Sequence, residues 1–400
     1  MTEAPELPLH MRRHRFDPVE ELAEVREGDG LTRVMTPFGT SAYLVTRYDD
    51  VREVLADSTR FSNAATRQVR PPGVSDVSDE ELEELRAGQM LAFDPPDHTR
   101  LRKMLTSEFT VKRMRRLEPR IVEIVDAALD DLEHVGKPGD LVSTFALPVP
   151  SLVICELLGV PYSDRAEFQH RTGRSLDASL PVEQRMKVQR ESREYMAGLV
   201  AQAQAEPGDD MLGMLVRKHG DDLSTAELIG IASLLLVAGH ETTSNMLGLG
   251  TLALLRHPDQ LAIMRDDPAA VEPAVEELLR WLSIVHSGVP RTTTAEVKIA
   301  GHTIPAGEQL VLALPAANRD PALAEHPERL DITREAARHV AFGHGVHHCL
   351  GAPLARMEMK VAFPALLRRF PDLALAVPYE EIEFRAFHVV YGLHALPVTW

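Results

Sequence analysis

The chain is short of cysteine. Cys155 and Cys349 are its two, in 400 residues. That excludes a disulfide framework and fits a reducing compartment. It also lacks an apolar run long enough for a membrane span. The longest strongly apolar stretch, Leu228 to Gly239, holds 12 residues, where a span needs ~20. The opening "MTEAPELPLHMRRHRFDP" carries acids and prolines around no apolar core, so neither a signal peptide nor a membrane anchor is expected. Basic residues are in deficit, 43 against 60 acidic, for a net charge of -17. Nucleic acid and anionic membranes are therefore disfavoured as partners. No repeat, low-complexity tract or linker with a composition shift divides the chain. The expectation is a cytoplasmic protein with a single domain over residues 1–400, large against the usual ~100–200 residues.

What is present reads as mostly helical with small β-sheets at the edges. "LTRVMTPFGTSAYLVT" predicts a hairpin turned at Gly39, followed by a helix in "YDDVREVLAD". Residues 62–90 are rich in Pro, Gly, Ser and acids, and read as a mobile, lid-like loop with a short acidic helix inside. Helical spacing of apolar residues then dominates as far as Trp281. "AEVKIAGHTIPAGEQLVLAL" predicts strands, and "HVVYGLHALPVTW" a closing hairpin.

One helix stands out. It opens on a capping box, Ser224-x-x-Glu227, and stops at Pro258. At 1.5 Å per residue it would be about 48 Å long, enough to cross a domain. It is apolar nearly all round, which predicts burial, yet its middle is "AGHETT". Gly239 costs about 1 kcal/mol there against Ala, and Glu241 puts a carboxylate near the core. The segment lacks the second histidine of a zinc-protease HExxH motif, because Ser244 holds that position. A plain buried helix with a polar interruption is one reading. In the other, Thr242 bonds back to the carbonyl of Ala238 and bends the helix, and the small pair Ala238-Gly239 leaves room for a diatomic ligand or water. Glu241 and Thr242 could then pass protons into that space.

The second concentration of chemistry is "HVAFGHGVHHCLGA", His339 to Ala352. Zinc could use several of His339, His344, His347, His348 and Cys349, but zinc sites commonly pair ligands from two separated segments. The other reading is one thiolate bound axially to haem iron. Glycines would let the loop approach a flat macrocycle, and a helix starting after Cys349 would aim its positive end at the sulfur.

Phe342-Gly343-His344-Gly345-Val346-His347-His348-Cys349-Leu350-Gly351 closely resembles the haem-binding signature of cytochrome P-450 monooxygenases. Four further stretches match the family in order. "DPPDHTRLR" would supply His98 and Arg102 to a haem propionate. Ala238-Gly239-His240-Glu241-Thr242-Thr243 resembles the oxygen-activation motif of the central helix. Glu277 and Arg280 form the family's ExxR pair, with Arg329 or Arg334 as its later arginine. Arg291 in "VPRTTT" and His347 would be further propionate partners. His348 stands where an apolar or aromatic residue is more usual.

The resemblance implies haem b (iron protoporphyrin IX) with Cys349 as iron ligand and Glu241 and Thr242 delivering protons. It implies hydroxylation, or epoxidation, of a small hydrophobic molecule with O2. A polyketide, terpenoid or steroid is expected, lined by Leu91, Leu235, Ile284, Val285, Val289 and Val390, with polar contacts from His286 and His240. Electrons would come from NAD(P)H through a separate ferredoxin and ferredoxin reductase, with the enzyme a monomer. Arg100 to Arg120 carries eight Lys/Arg and two Glu, an island of positive charge suited to an acidic ferredoxin. A peroxide-driven haem-thiolate peroxygenase and a haem-based gas or redox sensor are the rival functions. Cys155, on an apolar helical pattern, reads as an inert core residue.

Overall fold

The computed structural model describes residues 7–68, 78–335 and 338–400. Strands β1 (Leu31–Met35), β2 (Ser41–Val45), β3 (Phe61–Ser62), β4 (Val289–Thr293) and β5 (Gln309–Leu312) form one sheet. Their order is β1–β2–β5–β4–β3. β1 and β2 make the expected hairpin, with Thr32 opposite Leu44, and Gly39 turns it at φ 79°. β5 runs parallel to β2 and antiparallel to β4, so the sheet joins the two ends of the chain.

Helices make up most of the rest. Those that build the site are α1 (Tyr48–Ala56), α2 (Asn63–Gln68), α3 (Asp79–Arg86), α4 (Asp97–Thr106), α5 (Val111–Val135) and α6 (Pro148–Leu158). After them come α7 (Arg165–Ser175), α8 (Val182–Ala205), α9 (Thr225–Arg256), α10 (Val271–Leu282) and α11 (Ala352–Arg369). The largest buried apolar cluster draws side chains from Phe16 through to Val398.

α9 is the predicted long helix, 32 residues with its capping box formed. Ser224 Oγ accepts from the Glu227 N–H, and Glu227 Oε2 accepts from the Ser224 N–H at 2.9 Å. Its most extensive helix contact is with α6. A Cβ at Gly239 would lie 2.6 Å from Ile154 of α6. The absent side chain is therefore what lets the two helices close up.

Two expectations need adjustment. The described parts of 62–90 are not loop throughout: they hold the end of β3, α2 and the expected short acidic helix, α3, while residues 69–77 lie outside the described residues. These parts are tied down, since Gln89 Nε2 donates to Gly230 O of α9 at 3.0 Å and Arg190 of α8 meets Glu81 of α3 at 2.9 Å. The last residues are not a hairpin either. Pro397–Thr399 pairs with Ala374–Leu375 and Gly139–Asp140, which alternation within one segment could not reveal. Among the described residues no helix is long and apolar enough to cross a membrane.

Candidate functional site

The Cys349 loop is built by backbone bonds. The Cys349 N–H donates to Phe342 O at 2.9 Å and the His348 N–H to Gly345 O at 3.0 Å. Gly343 and Gly345 both turn at φ 71°. A Cβ on Gly345 would lie 2.4 Å from Leu55 O of α1, so only glycine lets the loop rest there. α11 begins three residues past Cys349. The sulfur can be reached from outside the chain, yet the surrounding protein is dense enough that burial raises the thiol pKa. Backbone N–H groups of Gly351 and Ala352 and the charges of Arg102 and Arg356 pull it back. Among the described residues no group of three or more His, Cys, Asp or Glu could hold a metal ion. The loop thus has no multi-ligand zinc site and offers one sulfur.

Beside it is a knot of nitrogen donors. His98 is buried on α4, and its ring centroid lies 4.2 Å from that of His347. His347 Nε2 is 3.0 Å from Asn63 Nδ2 of α2. Both ring nitrogens of His98, and His347 Nδ1, are buried with no hydrogen-bond partner among the described residues. Arg102 follows His98 by one helical turn, and Arg291 of β4 is buried and acts on His347. Burial, then Arg102, lowers the His98 pKa; burial, then His98 and Arg291, lowers that of His347 to about 3. Buried nitrogens without acceptors, flanked by two guanidinium groups, fit a ligand bearing carboxylates, as haem does.

Behind the loop lies an ion-pair core on α10. Arg280, fully buried, grips Glu277 with Nε and Nη2, each at 2.7 Å. Its Nη1 donates to Asn318 O and Pro327 O, both at 2.7 Å. Asn318 Oδ1 accepts from the Val340 N–H at 2.8 Å, carrying the knot into the cysteine segment. Arg334 adds its Nε to Glu277 at 3.4 Å. Arg329 contributes its carbonyl to Arg280 and keeps its side chain exposed, so Arg334 is the arginine that joins the pair. The adjacent Glu276 takes Arg356 at 2.6 Å and 2.8 Å and His339 at 3.2 Å. Burial works to raise the Glu276 pKa, but Arg356 and His339 hold it at about 2.

On α9, Thr242 Oγ1 donates to Ala238 O at 2.8 Å, the back-bond anticipated from its sequence. Ala238 is exposed and Leu234, Val237 and Thr242 are half-buried, while Leu235, Leu236, His240 and Glu241 are buried. The helix therefore has one open face at its polar interruption. Glu241 points away into the protein, with Arg385 Nη1 at 3.5 Å, Asn245 Nδ2 at 3.4 Å and His240 Nε2 at 3.8 Å.

The expected pocket residues divide. Leu91 is 41% exposed and its carbonyl accepts from Asn63 Nδ2. Leu235, Ile284 and Val390 are buried, and Val285 and Val289 half-buried. The Tyr391 N–H donates to Ile284 O at 2.8 Å, bringing the 284 and 390 segments together. His286 must be corrected: it is fully buried, with Nε2 2.6 Å from His388 O and its ring against Tyr391. Burial takes its pKa to about 3. His240 is likewise fully buried. Asn63, Glu276, Arg356 and Arg385 were missed. Each reaches its partner across a long stretch of chain and carries no local signal.

A family model described as Cytochrome P-450 matches residues 181–372. The chain is 56% identical to Cytochrome P-450 FAS1 of Rhodococcoides fascians, over 99% of both proteins. It is 41% identical to Vitamin D3 dihydroxylase of Streptomyces griseolus, over 100% of this chain and 98% of that protein. Among solved structures it resembles a P-450 crystallised in complex with filipin I, at a TM-score of 0.90 and 42% identity, over 100% of this chain and 99% of that one.

Proposed function

The chain belongs to the cytochrome P-450 family and is a haem-thiolate monooxygenase; from that premise we propose that Cys349 supplies the thiolate to haem b. One observation carries the reading: a lone thiol near a helix N-terminus, beside buried imidazole nitrogens that have no acceptor. His98, Arg102, Arg291 and His347 bind the propionates. Phe342, Gly343, Leu350 and Gly351 would hold the haem on its thiolate side, and the backbone at Ala238 and Gly239 would meet it from α9. When bound, the haem supplies reductive activation of O2 and insertion of one oxygen atom into a C–H bond. The chain's part is to seat the substrate, exclude water and deliver protons. Thr242 gives up its bond to Ala238 O to donate towards the open face of α9, and Glu241 resupplies it.

Leu91, Leu235, Ile284, Val285, Val289 and Val390 form the substrate pocket. Their apolar character fits a fairly large hydrophobic molecule such as a polyketide, terpenoid or steroid. Relatives named for vitamin D3, or crystallised with filipin I, support that size and chemistry. The family uses O2 and redox partners. Here the partner is a separate ferredoxin, reduced by an NAD(P)H-dependent reductase. Lys103, Lys112, Arg115 and Arg116 are exposed near Arg102, whereas Arg100, Arg113 and Arg120 are already paired with Glu227, Glu108 and Glu123. The exposed set forms a salt-sensitive docking patch. Residues 1–400 are one haem domain, working as a cytoplasmic monomer.

A single spectrum tests the ligand. The reduced, carbon monoxide-treated protein should show the red-shifted Soret band of thiolate-ligated haem. Cys349→Ala should abolish it and Cys155→Ala should leave it. A band of the histidine type in the wild-type protein would sink the assignment. Product formation with peroxide alone, and none with NAD(P)H, ferredoxin and reductase, would sink the oxygen-dependent route.

A further inference from the structure

The polar interruption of α9 holds one group that the mechanism above leaves idle. His240 Nδ1 lies 2.7 Å from Leu236 O. A carbonyl only accepts, so Nδ1 carries a proton. That leaves Nε2, which is buried with no hydrogen-bond partner among the described residues and lies 3.8 Å from Glu241 Oε1. At that separation a neutral imidazole brings two acceptors together in a buried site, which is unfavourable, whereas a proton on either group turns the contact attractive. From α7, Phe168 meets the imidazole edge-on at 5.3 Å. Burial is the largest influence on the ring and disfavours its charge. Glu241 favours the charge, and Arg385 of the C-terminal loop opposes it.

We propose that His240 and Glu241 hold one exchangeable proton between them, making His240 a positioning residue for proton delivery through Glu241 and Thr242. The inference rests on the role given to Glu241 and Thr242 above. One proton moves, from Nε2 of the imidazolium to Oε1 of the carboxylate, leaving a neutral imidazole and a neutral acid. No electron transfers and no heavy-atom bond changes. The other proton stays on Nδ1, donated to the Leu236 carbonyl.

The test uses haem-loaded protein with 15N-labelled histidine, in the reduced carbon monoxide form. His240 Nε2 should titrate, and Glu241→Gln should move its midpoint to lower pH, because a favourable negative charge is gone. Separately, His240→Gln should keep the Soret band. It should lower the fraction of electrons recovered in product on the order of tenfold, less than the roughly 10²–10⁴ of a direct proton donor. It should also remove one ionisation from the pH profile of that fraction. A His240 resonance blind to Glu241→Gln overturns the shared proton, whether or not His240→Gln folds. A wild-type pH profile in folded His240→Gln overturns the role in delivery. Coupled resonances in a protein that makes no product uphold the shared proton and overturn the monooxygenase reading beneath it.

Discussion

Glu277 and Glu241 are both carboxylates in long helices, 4% and 3% exposed. Their surroundings are opposite. Glu277 accepts two bonds of 2.7 Å from Arg280, one of 3.1 Å from the Asp331 N–H and one of 3.4 Å from Arg334. Its Oε1 takes three of these donors and its Oε2 one, all fixed. The nearest groups to the oxygens of Glu241 stand at 3.4 Å, 3.5 Å and 3.8 Å. A saturated buried ion pair holds geometry and has nowhere to send a proton. A loosely partnered one costs stability and keeps its carboxylate free to change partners. One chain thus uses the same side chain as a rivet behind the cysteine loop and, on the proposed reading, as a relay in the middle of α9.

The largest effect is expected from pulling the rivet. Glu277→Gln leaves the Arg280 guanidinium buried without its counter-charge, which typically costs about 3–5 kcal/mol. Urea unfolding should show that loss, together with poor recovery of the Soret band. Glu241→Gln breaks the comparison from the other side. Stability should change little, because no short bond is lost. The fraction of electrons recovered in product should fall on the order of 10²-fold, the usual size for a proton-delivering group. Equal unfolding midpoints in the two variants would erase the distinction.

The difference between these sites also governed how well each could be read from sequence. The turns at Gly343 and Gly345 and the Cys349 N–H bond to Phe342 O lie within ten positions, so their spacing announced the loop, though not the approach of Gly345 to Leu55. The Thr242 back-bond and the Ser224–Glu227 box span one helical turn and were legible for the same reason. Arg385 reaches Glu241 across more than a third of the chain, and Asn63 reaches His347 across most of it, with no periodicity to mark them. The choice between Arg329 and Arg334 depended on which side chain the turn after Glu328 directs inward. His286 misled because an apolar segment looks the same whether it lines a pocket or packs against Tyr391.

That choice gives the next effect down. Arg334→Ala removes one long contact to Glu277, which Arg280 still neutralises, and two bonds to the carbonyls of Glu325 and His326. A loss of ~1–2 kcal/mol is expected, at the lower end for hydrogen bonds to charged groups. Arg329→Ala should stay within ~0.5 kcal/mol, because its exposed side chain is not what touches Arg280. A larger loss in Arg329→Ala than in Arg334→Ala, measured by urea midpoint, would reverse the assignment.

The smallest effect sharpens what a rivet is. Glu276 neighbours Glu277 on α10, and its pKa is held at about 2 against an ordinary 4.5. A carboxylate depressed on folding binds fewer protons folded than unfolded between those values. Its contribution is therefore complete above about 4.5 and is lost as pH falls towards 2. Arg356→Met takes away the stronger of its two partners. Unfolding free energy measured across that acid window should then fall less steeply than in the wild type. In a Glu276→Gln background the same substitution should leave the slope unchanged, since the titrating group is gone. If Arg356→Met flattens the slope equally in both backgrounds, the arginine acts elsewhere on the cysteine segment, and Glu276 is no second rivet.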